Sequence, residues 1–290
     1  MNTPSLVPRP VTLAAATLIG IALVFMLALY GVLAYPGSAR GEGASRLILL
    51  IAGLAAYAGA AAWIWRQPAG SIKNAAAQGA KFGAVLATFE LVNMGIEHFV
   101  PIGPTGSAVR GVGMWALIFV VFGAAGSAEY RRSQSLLLAA LASIWSALVS
   151  TVAMLIFGFA LGVFFMPYMQ RILAGAFSES GMSDPYAFVV RHTLDSACSH
   201  LLIAPVVAAL FGTVGGYACS LLRSVRRSAA MVVGGLNIGL MIAGITALRL
   251  GSSLARPERP PFVMTGLIAL GVGMACAHAV FTAIRRRPAV

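Results

Sequence analysis

The chain reads as long apolar runs separated by short polar connections, and the lengths of those runs set its class. Crossing about 30 Å of hydrocarbon takes about 20 apolar residues in a helix. In order, the predicted spans are Val11 to Ala34, Leu47 to Trp65, Lys81 to His98, Gly111 to Tyr130, the runs 136–168 and 186–222, Ala229 to Leu248, and Phe262 to Ile284. The first exceeds the core of a signal peptide and is expected to be retained as a span. Residues 67–78, before the third, are expected to form its first amphipathic turns. The runs 136–168 and 186–222 are overlong for one bilayer. The former must tilt, protrude or bend near Gly158 and Gly162 into an interfacial piece with Phe164 and Phe165. In the latter, Pro205 is expected to break the helix. The pattern predicts an all-α polytopic transmembrane bundle of about eight spans, one integral membrane domain over 1–290 without a soluble domain.

Composition agrees. The 290 residues are 59% hydrophobic and only 10% charged, against roughly 25% charged in soluble domains. A net charge of +12 invites a nucleic-acid reading, but the basic residues sit in short clusters between apolar runs, where the positive-inside rule puts them. Twelve of the 20 Lys and Arg fall on one side of an eight-span chain. That assigns both termini to the cytoplasm and the chain to a cell membrane, with a bacterial inner membrane as the setting. The implied partner is the lipid bilayer, with a protein partner or a second copy left open and no nucleic acid. Cys198, Cys219 and Cys276 lie in apolar runs and read as small buried hydrophobes. No cofactor is assigned.

Candidate chemistry begins in the third span. At about 100° per residue, Glu90, Asn93 and Glu97 share one helix face, and Gly79, Gly83 and Ala87 extend it toward the N-terminus. Small residues let a helix pack closely while its acids stay off lipid. Glu90 stands nine residues past Lys81, about 13 Å along the axis and near the midplane. No basic residue lies within helical reach of it, and an intramembrane acid is a functional candidate by default.

A second polar cluster opens the sixth run: His192, Asp195, Ser196 and Ser199 share a face, with His200 at its margin. If the third and sixth helices touch, Glu90, Glu97 and His98 would face Asp195, His192 and His200. Such a group could relay protons, bind a cation or hold a metal, with Glu90, His192 and His200 as ligand candidates. A metal needs three or four side chains within about 2.3 Å of one point, and no HExxH or similar short spacing announces one. Structural pairing competes with these readings. Arg110 is placed to pair with Glu97, and Arg191 to pair with Asp195 one turn on.

Other motifs fail on context. Gly123-Ala-Ala-Gly-Ser-Ala resembles an intramembrane serine protease loop but has no histidine at matching depth. Gly234-Gly-Leu-Asn-Ile-Gly follows no strand and precedes no lysine. Asp195, Ser199 and His200 lie along one helix and cannot form a triad. Gly79/Gly83 against Gly235/Gly239, and Gly111-Val-Gly-Met against Gly271-Val-Gly-Met, raise a four-plus-four repeat. Three functions remain: a small permease or ion/proton-coupled transporter, a non-catalytic subunit or scaffold, and a membrane-embedded metal-dependent enzyme.

Overall fold

In the computed structural model, residues 10–100 and 104–224 are described, with side chains over 14–100 and 110–221. The chain divides into two compact units, Met1–Ser220 and Leu221–Val290. The fold below is that of the first. The expected spans Ala229 to Leu248 and Phe262 to Ile284, and with them the repeat, lie outside the described residues.

The described residues form eight α-helices and no strand: α1 (Pro10–Ala34), α2 (Glu42–Arg66), α3 (Ser71–Phe99), α4 (Pro104–Ser133), α5 (Leu136–Phe164), α6 (Met166–Ile172), α7 (Ala174–Glu179) and α8 (Pro185–Ser224). Five of them, α1, α2, α4, α5 and α8, are long and apolar enough to cross a membrane. α3 is not in that group, because Lys73, Lys81, Glu90 and Glu97 dilute it. It nevertheless runs beside α5 from Gly79, against the Ala142 carbonyl, to Phe99, stacked on Tyr168 just beyond α5. That is about 30 Å of shared length. Its outward face exposes Val85, Phe89, Val92 and Ile96, an apolar stripe at helical spacing. A helix so placed crosses wherever α5 crosses.

The long helices alternate in direction. Gly79 and Gly83 of α3 oppose Ala142 and Ser146 of α5, and Gly20 and Gly31 of α1 oppose Val152 and Val163, so α1, α3 and α5 run parallel. α8 runs against α5, with Thr193 beside Gly162 and Gly212 beside Ser143. The "near end" denotes the end where α1, α3 and α5 begin, and the "far end" its opposite.

α5 is the centre, its buried residues spread around the helix from Ala139 to Gly162. The core gathers Val24, Leu50, Leu54, Trp145, Leu148, Phe159, Val189 and Leu194 from α1, α2, α5 and α8. Exposed apolar side chains such as Leu23 and Met26 on α1 and Leu202 and Val206 on α8 fit a surface solvated by lipid. Glycine sets the closest approaches. Gly126 meets the backbone of Gly212, and Gly215 meets that of Gly123, so a Cβ at these points would force α4 and α8 apart.

The two overlong runs resolve differently from each other. The run 136–168 takes the bent alternative, its first helix ending at Phe164, just past Gly162. Phe165 leaves the helix (φ −112°, ψ 32°), and α6 starts at Met166 with proline in its first turn. Pro167 cannot continue an existing helix but readily opens a new one. Gly162 receives Thr193.

Pro205 does not break α8, which is continuous for 40 residues. A proline removes the N–H that would serve the carbonyl four residues earlier, here Leu201. Tyr57 of α2 answers it, its hydroxyl donating to the Leu201 oxygen at 3.2 Å. A neighbouring helix thus replaces the missing donor, which is how proline is tolerated inside membrane helices.

Candidate functional site

The buried stripe of α3, with Gly79, Gly83, Leu86 and Ala87, carries Glu90 directly into the α3–α5 interface. Toward the near end, α3 presents mainly glycine and alanine to this seam. The Ala142 and Ser146 carbonyls come so close to Gly79 and Gly83 that no Cβ fits. On α5, Ser146 and Ser150 lie beside this seam, while Ser143, a turn earlier, faces α4 and α8, donating to the Phe122 carbonyl and abutting Gly212. All three are buried, Ser146 at 0% exposure.

Glu90 neighbours Ser150, whose hydroxyl donates to the Ala147 carbonyl of its own helix at 3.3 Å. The other carboxylate oxygen, Oε2, is sealed from the surface and has no hydrogen-bond partner. Among the described residues no cation pairs with Glu90.

The remaining acids of α2, α3, α4 and α8 all meet arginine. Glu97 lies 3.2 Å from Arg110, which also donates to Asn93 at its main-chain oxygen (2.9 Å) and its Oδ1 (3.3 Å). Arg110 is only 18% exposed and clasps α3 to α4 one to two turns beyond Glu90. Glu129, 0% exposed, holds Arg132 through both oxygens at 2.6 and 3.0 Å, and Arg132 reaches on to the Ser71 carbonyl.

The second polar cluster is occupied elsewhere. Asp195 pairs with Arg46 of α2 at 2.8 Å rather than with Arg191, and Arg191 pairs with Glu42. Both reach across to α2 because α2 and α8 run parallel there, so these pairs stitch two helices instead of one. His192 is exposed with its ring 6.0 Å from Phe188, and His200 Nδ1 faces the Ser196 carbonyl of its own helix at 2.7 Å. His98 is half-buried beside Glu97 and Arg110 at the far end of α3, its Nδ1 unpartnered.

The site residues therefore fall into two groups. Glu90, Asn93, Glu97 and His98 lie along the end of α3 with Arg110. Asp195, His192 and His200 lie on α8, engaged with α2 or with α8 itself. The convergence needed for a metal on Glu90, His192 and His200 is not formed. Among the described residues no three His, Cys, Asp or Glu side chains are placed to share a metal ion.

Ser146, Ser150, Tyr57 and Glu129 were not singled out by the sequence. The serine spacing along an otherwise apolar run was the available signal. No protein-family model matches the chain, and neither does any curated protein or solved structure. The class the fold defines is that of a polytopic helical protein with membrane-span-like helices, and its activity must be argued from the α3–α5 seam alone.

Proposed function

We propose that the protein is a small ion- or proton-coupled permease of a cell membrane, with Glu90 as the group that takes up and releases the coupling charge. The carrying observation is the contrast among its acids. Glu42, Glu97, Glu129 and Asp195 are each matched with arginine, whereas Glu90 keeps a buried oxygen unanswered. A carboxylate held away from lipid water and countercharge costs at least about 2.5 kcal/mol. A purely structural seam made of glycine and serine would have no use for one.

Asn93, Glu97 and Arg110 form the outer boundary of this site and close it toward the far end. The positive-inside count puts the near end, with Arg66, Lys73, Arg131 and Arg132, in the cytoplasm. The charge pairs on α8 serve as helix-to-helix stitching in this reading.

The test is reconstitution into liposomes carrying an internal pH dye. An imposed membrane potential should drive uncoupler-sensitive proton or cation flux, and Glu90→Gln should abolish it while the protein still elutes as a folded species. Flux that persists in folded Glu90→Gln overturns the proposal. No flux from either form, with a stoichiometric partner retained in mild detergent, would favour the scaffold reading instead.

A further inference from the structure

α6 closes the far end of α5 and presents two different faces. Met166 and Met169, one turn apart, are buried in the core, while Pro167, Arg171 and Ile172 stay exposed. Tyr168 stacks on Phe99, the last residue of α3, with 5.4 Å between ring centroids, and Phe99 meets Phe165 edge-on at 6.3 Å. The Arg171 guanidinium lies over the Tyr168 ring, 5.8 Å from its centroid. Phe165, Phe99, Tyr168 and Arg171 thus form one continuous patch.

The patch extends the apolar stripe on the outward face of α3. Phe164, Phe165 and Phe99 are 68%, 50% and 54% exposed, and from Phe99 the stripe runs on through Ile96 and Val92 to Phe89. That is about 15 Å along the axis, the depth of one leaflet of hydrocarbon. It makes a track of the length an acyl chain needs.

Arg171 places a positive charge at the head of this track. Among the described residues no acid pairs with it, whereas Arg46, Arg110 and Arg191 at the same end each hold a carboxylate. Asp184, just before α8, accepts instead from the main-chain N–H groups of Tyr186 and Ala187. A guanidinium held over a ring by cation–π attraction still has N–H donors to give, in a fork that fits a phosphate.

We propose that α6 and the end of α3 seat one anionic phospholipid of the far leaflet, its phosphate bonded to Arg171 and an acyl chain laid along Phe99, Ile96, Val92 and Phe89. Because the Tyr168 ring touches both Phe99 and Arg171, the bound headgroup bears on the end of α3 that also carries Glu97. The site does not depend on the role of Glu90.

The experiment places the full-length protein in phosphatidylcholine vesicles doped with phosphatidylglycerol bearing a photoactivatable diazirine on its acyl chain. Labelled residues are mapped by mass spectrometry after illumination. Labelling should concentrate on residues 89–99 and 164–172 and should fall when unlabelled phosphatidylglycerol is added. Arg171→Gln should lower it about fivefold, the effect of one basic residue at an anionic surface. Arg171→Lys, which keeps the charge but not the fork, should fall between the two. Lys81→Gln, at the near end of the same track, should leave far-end labelling unchanged. Equal labelling of these positions by a phosphatidylcholine probe with the same chain, or undiminished labelling in folded Arg171→Gln, overturns the proposal and reduces the patch to unselective lipid contact. The comparison of the two probes needs only the wild-type protein, so it decides the matter even where a variant does not fold.

Discussion

The seam between α2 and α8 and the seam between α3 and α5 are both parallel helix contacts carrying polar residues, yet they end in opposite conditions. Along α2–α8 each exposed charge finds its opposite, Arg46 with Asp195 and Glu42 with Arg191. Even the carbonyl stranded by Pro205 is served by Tyr57. Along α3–α5 the helices approach more closely, through Gly79 and Gly83, but Glu90 and Ser146 keep oxygens without partners. In the first seam the charges are matched by countercharges, as in a structural contact. The second combines tight packing with deliberate incompleteness, and that marks where a mobile charge can act.

The comparison can be broken at four points. The largest effect is expected for Gly83→Leu, whose side chain would drive into Ser146 and separate α3 from α5. A loss of about 3 kcal/mol or more should appear as a large drop in detergent melting temperature, and a wild-type melt would refute the close approach. Next, Tyr57→Phe removes the donor to Leu201 and strands a buried carbonyl, at a cost of about 1–3 kcal/mol. Helical content and thermal stability, measured together, should both decline. A Pro205→Ala second change should restore most of the loss, since it returns a donor to the helix.

The Arg46–Asp195 pair should matter less, because both side chains are more than 40% exposed. A double-mutant cycle with Arg46→Gln and Asp195→Asn should give a coupling of at most about 1 kcal/mol. The smallest effect on stability is expected for Glu90→Gln, which removes a charge that nothing neutralises. The melt should stay within about 1 kcal/mol of wild type, or rise, while flux disappears. A strong destabilisation would show that the carboxylate serves packing and would move the α3–α5 seam into the same class as α2–α8.

Much of this was legible in the sequence, and the boundary of legibility is physical. Run length alone separates the crossing helices, because bilayer thickness imposes it. The close face of α3 followed from the 100° periodicity of Gly79, Gly83 and Ala87, all of which are buried. What failed depended on distant partners. Pro205 looked like a break because its local donor is missing, and the replacement comes from a residue 144 positions away. Asp195 looked self-contained beside Arg191, but parallel packing offered Arg46. Ser146 and Ser150 passed as ordinary members of an apolar run, since small hydroxyls barely alter hydropathy. Only the face they share, read against Glu90 on another helix, gives them meaning.

The hydrogen bond from Tyr57 to Leu201 also bears on how the chain is built. The middle of α8 cannot finish its own backbone bonding in isolation, so its last polar group is answered only after docking. Because α2 precedes α8 in the chain, the phenol has left the ribosome before the proline-bearing segment is made. The order of synthesis supplies the donor before its acceptor exists.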